Sequence, residues 1–266
     1  MLKDRMTILI FSCDAFSDLW EGHIELMNKN WSDRGMRTCI ITDKPTNYQI
    51  ENVEILSAGN DSEFTERVAF ALENVSTEYV FVTLDDYYLI KRVDSKKIEK
   101  LIDIMDKERI DYLRLFERAK SSNKQQINGY IGVCWVDPTY RYSVNLYAGI
   151  WRKAFMEKTT ADKKNPWKYE VSLPRLAREN GAKCAMSHNN EYVILDVVRK
   201  GKILNKANRY FKRNGIYKGN REVHSYWYEF KLGIQTWGAR LAPKWAVDMV
   251  RNMMIKRGHH FYSQDE

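Results

Sequence analysis

Tyr79-Val80-Phe81-Val82-Thr83-Leu84-Asp85-Asp86-Tyr87 is the stretch that decides the fold class. Its β-branched and aromatic side chains read as a buried strand that stops abruptly on two acids. In open α/β sheets ligands bind at the carboxyl ends of strands, so Asp85 and Asp86 fall where a ligand would sit.

Working outward, short strand-like runs alternate with helical patterns over the first 116 residues, the signature of βα units and a largely parallel sheet. Residues 7–13, 37–42 and 53–56 read as strands. Trp20, Ile24, Met27 and Trp31, then Phe64, Val68, Leu72 and Val75, then Ile98, Leu101, Ile102 and Met105, mark one face each of three helices. Beyond them, 112–116 is a further strand, with 131–136 and 143–150 extending the sheet and 120–128 a polar loop. Asn165-Pro166-Trp167 opens a helix of about a dozen residues, because proline suits a first helical turn. From 199 to 218 the chain is strongly basic, and from about 226 two aromatic, basic helices close it. The expected division is a catalytic domain over 1–205 and a helical extension over 206–266.

The chain has 266 residues with 44% hydrophobic and 29% charged, the composition of a folded globular protein. Its net charge of +8 suits an anionic partner without choosing between nucleic acid, a diphosphate and an acidic membrane surface. Cys13, Cys39, Cys134 and Cys184 are widely spaced with no CxxC pair, so they read as reduced, mostly buried thiols. The apolar run after the first residues is too short for a signal segment, and no segment approaches a spanning helix. The expectation is a cytoplasmic protein whose membrane contact, if any, is peripheral. No GxxxxGK[ST], strand-following GxGxxG or GxSxG is present, which leaves kinase, NTPase, dinucleotide and serine-hydrolase readings without support.

Asp85 and Asp86 are chemically able to hold a divalent ion through carboxylate oxygens, leaving positions for water and a diphosphate. The bland alternative is a strand-end turn with two solvated acids, and an isolated Asp-Asp pair does not separate the two. Ile10-Phe11-Ser12-Cys13-Asp14, Glu78-Tyr79-Val80, Leu84-Asp85-Asp86-Tyr87, residues 147–151 and Asn165-Pro166-Trp167-Lys168-Tyr169-Glu170 form an ordered series. Over roughly residues 7 to 205 that series resembles bacterial GT-A glycosyltransferases of capsule and surface-polysaccharide synthesis.

The resemblance implies a mixed, mainly parallel Rossmann-like central sheet flanked by helices. It places Asp85 and Asp86 at the family's DxD-type position, which coordinates Mn2+ or Mg2+ on the diphosphate of a nucleotide-sugar donor, most commonly a UDP-sugar. Here the motif is Asp-Asp-Tyr rather than Asp-x-Asp, which leaves open which carboxylate meets the ion. Ser12, Cys13 and Asp14 would contact the nucleotide; Asp14 also suits a helix N-cap. Arg67 would reach the diphosphate from its helix.

Glu170 is the candidate general base, since attack on an anomeric carbon needs removal of the acceptor's hydroxyl proton. Its position early in a helix also suits the helix dipole. A base opposite the leaving diphosphate implies inversion, with a retaining course still open. His188 is a candidate third metal ligand, or a structural histidine. Arg199, Lys200 and Lys202 around Gly201 read as a flexible basic loop able to close over the diphosphate. Arg114, a charge among apolar neighbours, requires a partner in the acidic centre or the ligand. Trp151 and Trp167 would stack on acceptor sugars or pack internally. Trp227, Tyr228, Phe230, Ile234, Trp237, Leu241 and Trp245 among basic residues suit either an interfacial membrane helix or core packing.

The expected function is metal-dependent sugar transfer to a glycan or lipid-linked acceptor. The other readings are a nucleic-acid-binding module, for which no RRM, KH or zinc-finger motif stands in the sequence, and a non-catalytic relative that binds glycan.

Overall fold

A computed structural model of the chain describes residues 1–116, 125–216, 219–241, 244–256 and 258. In the closing helices the side chains of 235–237, 239–241, 244–248 and 251 fall outside that description, as does most of the polar loop expected over 120–128. The strands are β1 Met6–Phe11, β2 Thr38–Thr42, β3 Glu54–Ser57, β4 Tyr79–Leu84, β5 Tyr87–Leu89, β6 Tyr112–Arg114, β7 Val133–Trp135, β8 Gly149–Arg152, β9 Cys184–Ser187, β10 Ile194–Asp196, β11 Val198–Arg199 and β12 Lys202–Ile203. The helices are α1 Leu2–Arg5, α2 Trp20–Asn30, α3 Phe64–Glu73, α4 Ser95–Glu108, α5 Lys153–Glu157, α6 Pro166–Glu179, α7 Asn205–Asn214, α8 Tyr226–Leu241 and α9 Lys244–Lys256, with a 3-10 turn at Asp14–Leu19.

Among the described residues, eight strands form one sheet in the order β3-β2-β1-β4-β8-β6-β9-β7. β8 and β7 run against the other six, so the sheet is mixed and mainly parallel, as expected. One transverse row crosses all eight strands: Glu54, Cys39, Leu9, Val82, Gly149, Arg114, Met186 and Cys134. β1, β4, β6 and β9 share a direction, which brings the residues after Phe11, Leu84, Arg114 and Ser187 to the same edge.

Alternation along the strands divides the core into two layers. Ile8, Ile10, Tyr79 and Phe81 face α2 and α4, through Trp20, Ile24, Met27, Ile98 and Met105. Leu9, Phe11, Val80 and Val82 face α3 and α6, through Phe64, Val68, Tyr169 and Leu173. Helices on both faces explain why β1, β2 and β4 are apolar almost throughout.

A third cluster joins Leu19 and Leu26 to Tyr88, Leu195, Ile203, Ala207 and Phe211. α7 is therefore packed on the body through Ala207 and Phe211. Residues 143–148, expected to extend the sheet, instead form a buried irregular segment leading into β8. The four cysteines are free thiols, with Cys13 half-buried and the others buried.

Candidate functional site

The acids at the end of β4 are held by the end of β1. Asp85 N donates to Phe11 O at 3.2 Å, prolonging the ladder by one residue, and the Ser12 hydroxyl donates to Asp85 Oδ2. Trp20 Nε1 donates to Ser12 Oγ at 2.6 Å, which orients that hydroxyl. His23, buried in α2, donates from Nδ1 to Asp85 O at 3.1 Å. That bond assigns the ring's proton to Nδ1 in the neutral form, and burial holds the His23 pKa down at about 4.

Asp86 points into a second acidic neighbour that the sequence did not disclose. β10 pairs antiparallel with β5, and Asp196 stands opposite Tyr87. Val197 N donates to Asp86 O at 3.0 Å. Among the described residues, Asp86 Oδ1 and Asp196 Oδ1 are buried with no hydrogen-bond partner. Burial first, and then Asp85 and Asp196, raises the Asp86 carboxyl well above the usual range, while Arg199 partly offsets this. Burial raises Asp85 up to about 7 against the opposing Ser12 hydrogen bond. Arg199 grips Asp196 Oδ2 through Nε at 2.9 Å and Nη2 at 2.6 Å.

Two orphaned carboxylate oxygens, one in the turn between β4 and β5 and one at the end of β10, are a donor set of the kind a hard cation takes. Among the described residues no three His, Cys, Asp or Glu side chains converge at ligand geometry. An ion here would complete its shell with ligand and water oxygens, the usual arrangement for magnesium beside phosphates.

Tyr87 reports how the remaining groups gather. Its hydroxyl is raised well above the usual value by burial, then by Tyr147, Asp86, Glu170 and Asp196. Tyr87 and Tyr147 stack at 5.0 Å with rings almost parallel. Glu170, in the second turn of α6, accepts from Leu146 N at 3.4 Å. Asn165 caps that helix by accepting from Lys168 N at 2.9 Å. Pro174, four residues on, has no N–H to give the Glu170 carbonyl.

On the β1 side, Asp43, just past β2, accepts from Asp14 N at 2.6 Å. Asp14 is not the cap of the 3-10 turn; that position is Cys13, and the Asp14 carboxylate pairs with Lys44 at 3.3 Å. Arg67 donates to Ser62 O at 2.8 Å and keeps a buried Nε without a partner among the described residues. Its charge is felt at both Cys13 and Asp43, so it stands at this end of the sheet.

Four expectations are corrected. Trp151 is fully buried, packed on Tyr112 at 4.5 Å and Phe155 at 5.8 Å, because β8 lies inside the sheet; no sugar face reaches it. Trp167, in the first turn of α6, is 59% exposed. Arg114 is fully buried and donates to Phe116 O at 3.1 Å and Ser143 O at 3.3 Å, tying down the irregular segment rather than facing ligand. His188 follows β9, three strands from β4, about 14 Å across the sheet at ~4.8 Å per strand, too far to share an ion with Asp85. Lys200 and Gly201 have φ of 48° and 76°, the positive pair of a tight I′ hairpin joining β11 to β12, so the basic segment is no loose loop. Lys202 there pairs with Glu222 at 2.5 Å on the surface, while Arg199, also exposed, turns its guanidinium to Asp196.

Sequence reading missed Asp43, Asp196, His23 and Arg221. Asp43 was findable, since it follows β2 at the same sheet edge as Asp85. Arg221, which forks onto Asp18 at 2.8 and 2.6 Å and whose charge reaches Asp85, arrives from 203 residues away and carries no local signal.

No protein-family model matches the sequence, and no curated protein does. Solved structures superpose weakly. Staphylococcus aureus TarS gives a TM-score of 0.49 at 13% identity, covering 71% of this chain and 36% of that one. The mannosyltransferase PcManGT from Pyrobaculum calidifontis, in complex with GDP-Man and Mn2+, gives 0.49 at 11%, covering 74% and 58%. A cytidylyltransferase from Leptospira borgpetersenii gives 0.43 at 13%, covering 83% and 99%. The chain thus spans about a third of TarS and less than two thirds of PcManGT, and what those proteins bind is a property of theirs.

Proposed function

We propose that the chain is a metal-assisted glycosyltransferase of the GT-A kind, moving a sugar from a nucleoside-diphosphate donor, in first place a UDP-sugar, to a glycan or lipid-linked acceptor in surface-polysaccharide synthesis. The reading is supported by one observation above others: Asp86 offers a buried, partnerless carboxylate oxygen at the carboxyl end of β4, where the sequence resemblance expects a DxD-type motif. Residues 1–205 form the proposed catalytic body and 206–266 the extension whose first helix packs on it.

In this reading Asp85 and Asp86 hold Mn2+ or Mg2+, with Asp196 adding negative charge beside them. The ion would neutralise the departing diphosphate as a Lewis acid. Ser12 and Trp20 fix Asp85, so its carboxylate needs no reorganisation when the donor arrives. Cys13, Asp14 and Arg67 face the nucleotide end. Arg199 is the cation positioned to meet diphosphate oxygens near Asp86; Lys202 serves the hairpin.

Glu170 accepts the proton of the incoming hydroxyl, and the acceptor sugar rests against Trp167. Bond formation at the anomeric carbon as the diphosphate leaves from the other face inverts that centre. The working place is the cytoplasmic side of the membrane, where a lipid-linked acceptor would be met.

The deciding experiment is calorimetric titration with UDP, with and without Mn2+, on the native chain and on the Asp85→Ala/Asp86→Ala double variant. Metal-dependent binding that disappears in the variant is expected. Absence of binding to UDP, GDP, CDP and dTDP alike would sink the transferase reading.

A further inference from the structure

Eight of the thirteen exposed large apolar side chains among the described residues lie in α8 and α9, while the other five are scattered singly. In α8, Trp227, Phe230 and Ile234 are 68%, 58% and 55% exposed at spacings of three and four, which is one helix face. Trp227 and Phe230 stack at 5.6 Å along it. In α9, Met249, Val250, Met253 and Met254 repeat the pattern.

The opposite side of α8 is anchored. Tyr228 packs on the cluster of Ile203 and Phe211, and its ring stacks on His224 at 3.9 Å. Glu229 accepts from Lys206 N at 3.3 Å. His224 Nε2 in turn bonds Arg199 O at 2.7 Å, and Arg199 grips Asp196 beside Asp86. The anchored side of α8 is therefore joined through Tyr228, His224 and Arg199 to the acidic centre.

We infer that α8, continued by α9, is a docking surface for an anionic lipid bilayer. Over 226–258 the chain carries Lys231, Arg240, Lys244, Arg251, Lys256 and Arg257 against Glu229 and Asp248 alone. An apolar face with aromatic residues and a surplus of cations suits the headgroup region of acidic lipids. A second copy fits worse, since face-to-face helices would bring like charges together. The docking stands by itself; that it presents a lipid-linked acceptor to Glu170 rests on the transferase reading.

The test is co-sedimentation of the full chain with vesicles of phosphatidylcholine alone and with about 30% phosphatidylglycerol, at about 0.1 and 0.5 M salt. Binding to the acidic vesicles only, weakened by salt, is expected. Trp227→Glu/Phe230→Glu should lose about tenfold or more, and Lys231→Glu/Lys256→Glu should lose the preference for acidic lipid. A thermal melt of the same variants reports the fold, and UDP titration separates the two readings: nucleotide binding can fail while vesicle binding persists. No sedimentation with acidic vesicles, equal sedimentation of Trp227→Glu/Phe230→Glu, or a dimer that this variant breaks without any lipid binding would each overturn the inference.

Discussion

Asp196 stands directly opposite Tyr87 in the β5–β10 ladder, which carries its carboxylate to the neighbourhood of Asp86 from a residue more than a hundred positions away. This pairing brings a third acidic charge to bear on the pair, since Asp196 joins burial and Asp85 in raising the Asp86 carboxyl. Asp196→Asn keeps the shape and removes the charge. It should weaken Mn2+-dependent UDP binding by about tenfold while leaving the melting temperature almost unchanged, since a partly exposed Asp196–Arg199 bridge contributes little stability. Calorimetry beside a thermal melt checks both; unaltered binding would reduce Asp196 to a structural partner of Arg199.

Glu170→Gln should lower turnover by about a hundredfold or more with donor binding intact, because a lost general base acts on the chemical step alone. If donor affinity falls in parallel, Glu170 is holding the 143–148 segment through Leu146 rather than taking a proton.

Proton and ion should compete at Asp85 and Asp86. Both carboxyls titrate above their unfolded values because burial disfavours the charge, so the folded state holds its protons more tightly than the unfolded one. That contribution is present at low pH and is lost as pH rises through about 7 for Asp85. Without metal, stability should therefore drop as pH rises from about 4 to about 7, the span between the unfolded and folded values of Asp85, and Mn2+ should restore it. Affinity for the ion should fall about tenfold per pH unit below about 7 for each proton displaced. Titrations in buffers of different ionisation heat would reveal the released proton; equal affinity at pH 6 and 8 would contradict it.

His23 contributes the opposite slope over an overlapping range. Its folded pKa of about 4 lies below the ordinary value of 6.5, so the unfolded chain binds the proton first as pH falls. About 3 kcal/mol of stability should be lost between pH 6.5 and 4. His23→Leu should flatten that limb and cost about 1 kcal/mol at neutral pH, for the hydrogen bond to Asp85 O. Chemical denaturation across the pH range measures both.

The two tryptophans should separate cleanly. Trp151→Ala leaves a cavity between Tyr112 and Phe155 and should cost about 3–5 kcal/mol. Trp167→Ala, at an exposed helix start, should change stability by less than about 0.5 kcal/mol yet raise the KM for acceptor. A Trp167 variant with unaltered acceptor kinetics would remove that residue from the acceptor side.

The sequence by itself determined the α/β class, the core strands β1, β2 and β4, the faces of α2, α3 and α4, and the placement of Asp85 and Asp86 at a strand's carboxyl end. Those features are local: apolar period, turn chemistry and strand termination are written in neighbouring residues. The start of α6 at Asn165-Pro166 was legible for the same reason. Only the tertiary structure decided that Trp151 and Arg114 are sealed in the sheet, that His188 is three strands from the acids, and that Asp196, His23 and Arg221 converge on Asp85 and Asp86. Strand order and cross-ladder register are set by packing between distant segments, and burial is decided by what covers a residue, so a side chain's neighbours along the chain do not encode them.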